Sequence, residues 1–239
     1  MNFRSASEKN SPESPLAVCI IPARSGSKRI VDKNIKSFLG KPMIHYAIET
    51  AIESDLFDEI IISTDSERIA KIALQPKYSR LRVSFRPGEL ASDTASTIDV
   101  IRYVGSGYKI NTQVCCLYPA TPLLLPEHLI ESKKFLDHYD FVIPYSPYSH
   151  PVERAIRLNP EGQLSLVRPD SYFKRTQETT SLVHDAGCFY WGTVNSWASY
   201  SSPYDASVIG YSLPRHRSVD IDTEEDWVFA ETIYKGVRA

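Results

Sequence analysis

Residues 16–34, LAVCIIPARSGSKRIVDKN, join an apolar run to a short basic loop. The run predicts a buried strand, and the loop after it carries four cations, Arg24, Lys28, Arg29 and Lys33. Cations and backbone N–H groups around one concavity bind anions well, so this stretch predicts a polyphosphate site, and Gly26 would let the chain pass close to the ligand. Neither GxxxxGK[ST] nor GxGxxG is present. The alternative interpretation is a solvated basic loop after an edge strand.

Strand and helix patterns alternate after this loop. Helical spacing or length predicts helices over 43–52, 66–74, 94–104 and 126–138, and apolar runs predict strands over 59–64, 82–85, 113–118, 140–145, 187–192 and 208–213. This alternation predicts βαβ units and a parallel sheet, with a ligand crevice beyond the carboxyl ends of the strands. The residues that fall at such ends are Arg24, Asp65, Arg86 and Tyr118.

The pattern changes between about residues 146 and 180, where prolines and short β-like pieces predict a hairpin near 159–162. We interpret this part as an insertion within a single domain that spans 16–239. Residues 1–15 are polar and lack the apolar segment of a signal peptide, so they are predicted to form a disordered leader.

Composition narrows the range of partners. A formal net charge of −2 over 239 residues argues against nucleic acid or an anionic membrane as the main partner. No apolar run approaches the roughly 18 residues of a membrane span. The four cysteines have no CxxC spacing, which argues against a zinc site or a disulfide framework and favours reduced thiols in the cytoplasm. Small molecules are therefore the predicted ligands.

Two acids near the C-terminus are candidate metal ligands. Asp220 and Asp222 flank Ile221, so both carboxylates would project from one face of an extended segment. Two such ligands suit Mg²⁺, which completes its octahedron with water and substrate phosphate. The alternative is that Asp222 caps the last helix and Asp220 is solvated. Thr223 and Asp226 also have capping-box spacing for that helix.

Other candidates carry weaker signals. Arg86, in RPGELASD, could recognise a base or simply belong to a surface turn. Asn34 could bond a base edge or a ribose hydroxyl, or stabilise its own turn. His184 and Asp185 are adjacent on a predicted strand and would point to opposite faces, which disfavours a proton relay. The aromatic run 189–191 is typical of a sheet core, although alternate members could face a pocket.

Together and in this order, these segments resemble the CMP-sugar synthetases, cytidylyltransferases that use CTP to activate sialic-acid-like nine-carbon acids or 3-deoxy-manno-octulosonate. IIPARSGSKRIVDKNI is similar to their nucleotide signature, RPGELASD to their second loop and SVDIDTEEDW to their metal-binding segment. The resemblance spans about residues 17–236. VCCLYPATPLL and HDAGCFYWG are most similar to the members that act on pseudaminic acid, and Tyr118 stands where sialic acid enzymes usually carry glutamine.

The resemblance implies a Rossmann-like, doubly wound, mostly parallel α/β sheet with a small β-rich insertion for dimerisation, a homodimer, and Mg²⁺ as cofactor. It implies that CTP and a nine-carbon keto acid sugar react to give a CMP-sugar and pyrophosphate. The implied nucleotide-binding residues are Arg24, Ser25, Gly26, Ser27, Lys28, Asn34 and Arg86. The implied sugar-binding residues are Tyr118, Arg175, Gln177, Phe189 and Tyr190. The implied metal ligands are Asp220 and Asp222, and the implied catalytic residues are Arg24, Lys28 and Asp222.

Two positions depart from the family pattern. Ser25-Gly26 stands where Gly-Gly or a similar pair is usual, so one flexible position is lost, and Val31 stands where proline is usual. Both changes alter the path expected for the basic loop. The alternative functions are synthesis of CMP-sialic acid, CMP-legionaminic acid or CMP-3-deoxy-manno-octulosonate, and a catalytically silent nucleotide-binding regulator. A silent relative is expected to lack the metal acids, and this chain retains both.

Overall fold

The computed structural model of the chain describes residues 16–75, 78, 80–92 and 95–238. The strands are β1 (Ala17–Pro22), β2 (Ser37–Phe38), β3 (Lys41–Pro42), β4 (Glu59–Thr64), β5 (Leu81–Phe85), β6 (Gln113–Leu117), β7 (Phe141–Pro147), β8 (Ile156–Leu158), β9 (Leu164–Leu166), β10 (Val183–Asp185), β11 (Phe189–Thr193) and β12 (Val208–Ser212). The helices are α1 (Met43–Glu53), α2 (Glu67–Ala73), α3 (Thr97–Gly105), α4 (Pro126–Lys133), α5 (Pro169–Tyr172), α6 (Val194–Ser199) and α7 (Glu224–Arg238). The predicted leader, residues 1–15, lies outside the described residues.

The central sheet confirms the predicted α/β fold. Strands β6, β1, β4 and β5 lie side by side in that order, and all their pairings are parallel. Their carboxyl ends therefore meet at one edge of the sheet. The residues just beyond these strands include Arg24, Asp65, Arg86 and Tyr118, as the sequence predicts.

One half of the sheet is mixed in direction. Strand β11 pairs antiparallel with both β6 and β7, whereas β12 pairs parallel with β7. The segment after β7 carries the short hairpin of β8 and β9, then returns the chain as β10 beside the end of β7. Because no helix crosses back over the sheet in this connection, the returning strands run opposite to β7. The hairpin lies at the predicted position.

Capping side chains define where three helices begin. Ser66 accepts a hydrogen bond from the Ile69 N–H, so α2 begins at the following residue. Ser96 and Asp99 form a capping box, which explains why α3 begins three residues after the predicted start at Thr94, itself outside the described residues. Asp226 Oδ2 accepts from the Thr223 N–H at 2.8 Å, and Thr223 Oγ1 accepts from the Asp226 N–H at 3.2 Å.

The core lies on both faces of the sheet. Residues 18–21 of β1 are fully buried, as a strand covered on both sides requires. One face packs against Ile44, Ala47 and Ile48 of α1, and the other against Ile101 and Trp197. All four cysteines are buried and unpaired. In the part of the chain that the structure describes, no helix is long and apolar enough to cross a membrane.

Candidate active site

The basic loop after β1 encloses a cavity of about 460 Å³. Gly26 adopts a φ of +76° in this loop, a conformation that glycine takes without strain. Three of the seven residues that the resemblance implies for nucleotide binding, the candidate phosphate ligands Arg24, Ser27 and Lys28, line the cavity. The remaining lining residues are Asn34, a fourth implied nucleotide-binding residue, and the cations Arg29 and Lys33. The loop therefore presents four cations to one concave surface, which suits an anionic ligand.

Two side chains hold this loop in place. Asp65, at the end of β4, accepts hydrogen bonds from the Ser25 N–H at 2.7 Å and from the Ser25 hydroxyl at 2.6 Å. Although partial burial acts in the opposite direction, these bonds lower the pKa of Asp65. Asn34 Nδ2 donates to the Arg24 carbonyl at 3.0 Å. The Asn34 amide thus links the two ends of the loop. Asp65 holds the loop at Ser25, a role that the sequence did not assign to it.

Arg86 lies next to the loop at the end of β5. Its Nε donates to Ser63 Oγ at 3.2 Å, and a terminal nitrogen donates to the Ser63 carbonyl at 2.9 Å. Burial lowers the pKa of Arg86, Asp65 partly offsets this effect, and the nearby charge of Arg24 adds to it. Arg86 is therefore fixed against β4 beside the cavity. The last residue of the RPGELASD motif, Asp93, lies outside the described residues.

The acidic segment before α7 reaches the same loop. Asp222 forms ion pairs with Arg29 at 2.7 Å and with Lys33 at 3.2 Å. Lys33 also donates to the Ile221 carbonyl at 2.6 Å, and the Ile221 side chain is buried. These contacts join residues that are nearly 190 positions apart in the chain. The sequence signalled this pairing only through opposite charges in two separate motifs.

Asp220 and Asp222 fit a divalent cation. Partial burial and the negative charge of Asp222 raise the pKa of Asp220, and a bound cation would relieve the cost of ionising Asp220. The described residues contain no group of three or more His, Cys, Asp or Glu side chains arranged for a metal. Two carboxylates beside a cavity lined by cations are a donor set that would suit Mg²⁺ if phosphates were bound there. Thr223, and not Asp222, caps α7, so the alternative role for Asp222 is wrong.

A second cavity, of about 280 Å³, lies beside the carboxyl end of β6 and the start of β11. Tyr118 and Tyr190 line it with their rings edge to face, 5.8 Å apart between centroids. The Tyr118 hydroxyl donates to Thr97 Oγ1 at 3.0 Å, and the Tyr190 hydroxyl donates to Asp185 Oδ2 at 2.7 Å. Burial is the largest cause that raises the pKa of both phenols, and the charges around them raise it further. Both hydroxyls therefore remain protonated donors at neutral pH.

Three residues that the resemblance assigns to the sugar do not line this cavity. Phe189 is fully buried on the opposite face of β11, where its ring contacts Tyr211, because successive side chains of a strand alternate. A sugar contact by Phe189 therefore does not fit this structure. Arg175 and Gln177 are exposed on the segment between α5 and β10 and line none of the described cavities.

His184, which precedes Asp185 in β10, is not arranged for a proton relay. His184 Nδ1 lies 2.9 Å from the backbone carbonyl of Asp185 and contacts no carboxylate there. The Asp185 carboxylate instead accepts from the Gly187 N–H and the Tyr190 hydroxyl. This arrangement agrees with the sequence-based argument against a proton relay.

Relatives of known name are similar over most of the chain. The pseudaminic acid cytidylyltransferase of Campylobacter jejuni strain 81-176 is 39% identical to this chain. The match spans 91% of this chain and 96% of that enzyme. A bifunctional Helicobacter pylori protein, a pseudaminic acid cytidylyltransferase and UDP-2,4-diacetamido-2,4,6-trideoxy-β-L-altropyranose hydrolase, is 34% identical; the match spans 82% of this chain and 38% of that protein. The Streptococcus agalactiae serotype V N-acylneuraminate cytidylyltransferase is 32% identical, over 88% of this chain and 51% of that enzyme.

Solved structures with low identity share the fold. CMP:2-keto-3-deoxy-manno-octonic acid synthetase in complex with CTP has a TM-score of 0.69 at 16% identity and covers 92% of this chain and 99% of its own. The 4-diphosphocytidyl-2C-methyl-D-erythritol synthase of Anaerococcus prevotii has a TM-score of 0.65 at 14% identity, with the same coverage. These likenesses confirm the Rossmann-like architecture.

A family model described as cytidylyltransferase matches residues 18–153, more than half of the chain. The matched range contains the basic loop, which lines the first cavity, and Tyr118, which lines the second, as well as Arg86. With relatives at 39% identity over nearly their whole length, this match identifies the family. The chain belongs to the cytidylyltransferase family.

Proposed function

We propose that this enzyme transfers the CMP part of CTP to a nonulosonic acid, most specifically pseudaminic acid, and releases pyrophosphate. The observation that carries the proposal is the proximity, along one sheet edge, of a basic cavity, an acidic pair and a tyrosine-lined cavity. The first cavity would hold the triphosphate and the last would hold the sugar. Relatives named for pseudaminic acid at 39% identity favour that sugar over N-acetylneuraminic acid.

In the proposed reaction, the anomeric hydroxyl of the sugar attacks the α-phosphorus and gives its proton to Asp222 or to solvent, and the bond to the pyrophosphate oxygen breaks. Arg24 and Lys28 would stabilise the negative charge that develops on the leaving pyrophosphate, because cations fixed in a concave loop need no reorganisation. Arg86 and Asn34 would border the cytidine part. Asp220 and Asp222 would hold Mg²⁺, which when bound polarises the α-phosphate.

The first prediction tests the reaction and the choice of sugar. We expect pyrophosphate release from CTP to be faster with pseudaminic acid than with N-acetylneuraminic acid, by roughly tenfold to a few hundredfold in kcat/KM. An aromatic wall at Tyr118 cannot pair the extra hydroxyls of the glycerol-like tail of N-acetylneuraminic acid, and unpaired polar groups are costly to bury. Tyr118→Gln should relax this preference.

The control reaction contains CTP without sugar, and it should release no pyrophosphate above background. Equal kcat/KM for the two sugars in the unmutated enzyme would contradict the pseudaminic acid assignment and leave the cytidylyltransferase reaction standing. Absence of release with every nonulosonic acid, together with tight CTP binding, would favour the silent regulator.

The proposal includes a homodimer formed through the insertion. Exposed apolar side chains cluster in this segment, which is typical of an interface and unusual for a free surface. The most exposed are Leu158, Leu164 and Phe173, at 66%, 64% and 81%. Leu158 and Leu164 face each other across the β8–β9 hairpin, so they belong to one patch. A cytoplasmic location also belongs to the proposal, because the four buried cysteines are free.

The second prediction concerns this interface. The double variant Leu158→Glu and Leu164→Glu is expected to convert a dimer to a monomer, because two charges in an apolar interface lose their hydration. Light scattering after size-exclusion chromatography measures the mass. Ile110→Glu is the matched control, since this residue is 71% exposed outside the insertion. A monomeric unmutated protein, or a dimeric double variant, would contradict the proposed interface.

A further inference from the structure

The carboxylate of Asp185 lies at the wall of the tyrosine-lined cavity in a fixed orientation. Its Oδ1 accepts from the Gly187 N–H at 2.8 Å, and its Oδ2 accepts from the Tyr190 hydroxyl at 2.7 Å. Gly187 has a φ of +61°, a left-handed conformation that brings its N–H back to the carboxylate. Two donors within five residues of Asp185 in the sequence thus orient this side chain. Each carboxylate oxygen can accept a further bond.

The hydrogen bonds of the cavity give it a defined polarity. The two tyrosine protons point away from a ligand, one to Asp185 and the other to Thr97. The group that remains available to a ligand on this side of the cavity is the anionic acceptor of Asp185. The Thr97 hydroxyl accepts from Tyr118 and retains its own proton for an acceptor on the ligand. A ligand that offers both a donor and an acceptor would therefore match this wall.

The rest of the cavity is largely apolar. The lining residues that supply this surface are Ile98, Ile143, Trp197, Pro203 and Tyr204. A group bound between this surface and Asp185 needs an apolar part beside its donor. An ammonium group has no apolar part beside its donor. A chain of hydroxyls would be buried with some of its hydroxyl groups unpaired. An acylamino group supplies an N–H, a carbonyl oxygen and a methyl group.

We propose that Asp185 is a specificity-determining residue that accepts a hydrogen bond from the N–H of an acylamino substituent on the sugar. In this arrangement Thr97 donates to the acyl carbonyl, and the methyl group packs against the apolar wall. Tyr190 positions the Asp185 carboxylate. This inference rests on the proposed function, and it adds a residue and the chemical group that the residue recognises.

The test compares the unmutated enzyme with Asp185→Ala and Asp185→Asn. The probes are pseudaminic acid and its two analogues in which one or the other acetamido group is replaced by a hydroxyl. We expect Asp185→Ala to lower kcat/KM for pseudaminic acid about 10- to 100-fold, mainly through KM, while the KM for CTP changes less than about twofold. For the analogue that lacks the recognised group, the same substitution should have little effect.

Asp140→Asn is a matched control, because its carboxylate also accepts a backbone N–H, that of Ser207, but lies outside the lining of this cavity. It should leave every constant near that of the unmutated enzyme. If Asp185→Ala folds poorly, Tyr190→Phe removes only the hydroxyl that orients the carboxylate, and it should raise the KM for pseudaminic acid about three- to tenfold.

Two outcomes separate this inference from the proposed function. If the unmutated enzyme does not use pseudaminic acid at all, the proposed function fails. If it does, but the folded Asp185 and Tyr190 variants keep the unmutated KM, or lose activity equally with pseudaminic acid and both analogues, Asp185 does not recognise an acylamino group.

Discussion

Asp222→Asn is expected to lower turnover by about two orders of magnitude or more. The substitution keeps the size of the side chain and removes the charge that would help to hold Mg²⁺ near the α-phosphate. CMP binding without metal should not weaken, because the change releases Arg29 and Lys33 from their ion pairs with Asp222. Pyrophosphate release measures the turnover, and calorimetry measures the binding of CMP. Asp220→Asn should also impair turnover.

The fold should tolerate this change. Thr223 caps α7, so its N-terminus keeps its hydrogen bonds. The Arg29 side chain is 67% exposed, and an ion pair this exposed contributes about 1 kcal/mol or less. Lys33 is only 21% exposed, but it keeps its hydrogen bond to the Ile221 carbonyl when Asp222 loses its charge. Glu224→Gln is the matched control, because Glu224 pairs with Lys36 at 2.6 Å in the same segment. Near-normal turnover of both aspartate variants at limiting Mg²⁺ would show that these acids do not hold the metal.

Lys28→Ala should reduce turnover about 100-fold and weaken CMP binding much less. In the proposed reaction Lys28 contacts the phosphates that leave as pyrophosphate, and CMP does not contain them. The comparison combines kcat from pyrophosphate release with calorimetric titration of CMP and CTP. Lys28→Arg should restore activity only in part, because a planar guanidinium replaces a compact ammonium charge.

Lys36→Ala provides the control for a lost cation. Lys36 pairs with Glu224 and lies 4.7 Å from the centre of the Trp227 ring, but it does not line the basic cavity. Its removal should leave kcat unchanged within about twofold. Equal loss of CTP and CMP affinity in Lys28→Ala would assign this lysine to the α-phosphate or the nucleoside instead.

Local periodicity was enough to predict most elements of the fold. The apolar triplet of 59–64 is the core of β4, and the helical spacing of 43–52 corresponds to α1, which ends one residue later. Such patterns depend on which face of an element is buried, and this information lies within about ten neighbouring residues. Strand ends were predictable for the same reason, so Arg24, Arg86 and Tyr118 were expected at one edge.

Strand direction was not predictable in the same way. The run 187–192 has the composition of a buried strand whether it runs parallel or antiparallel, and the structure has β11 antiparallel to both neighbours. The direction depends on where the 35 residues between β7 and β10 return the chain to the sheet. Which aromatic residue of β11 faces the cavity was also not predictable, because it depends on how the two faces of the sheet are packed. Phe189 and Tyr190 are both aromatic, and only the packing on each face places Tyr190 at the cavity.

The sequence by itself determined the α/β fold, the basic loop, the acidic pair and the resemblance to cytidylyltransferases, because each depends on short stretches of residues in order. Only the tertiary structure decided that Asp222 pairs with Arg29 and Lys33, that Asp65 holds Ser25, and that Asp185 faces the tyrosine-lined cavity. Most of these contacts join segments far apart in the chain. Their geometry follows from how the whole sheet and its helices pack, and no local pattern contains that information.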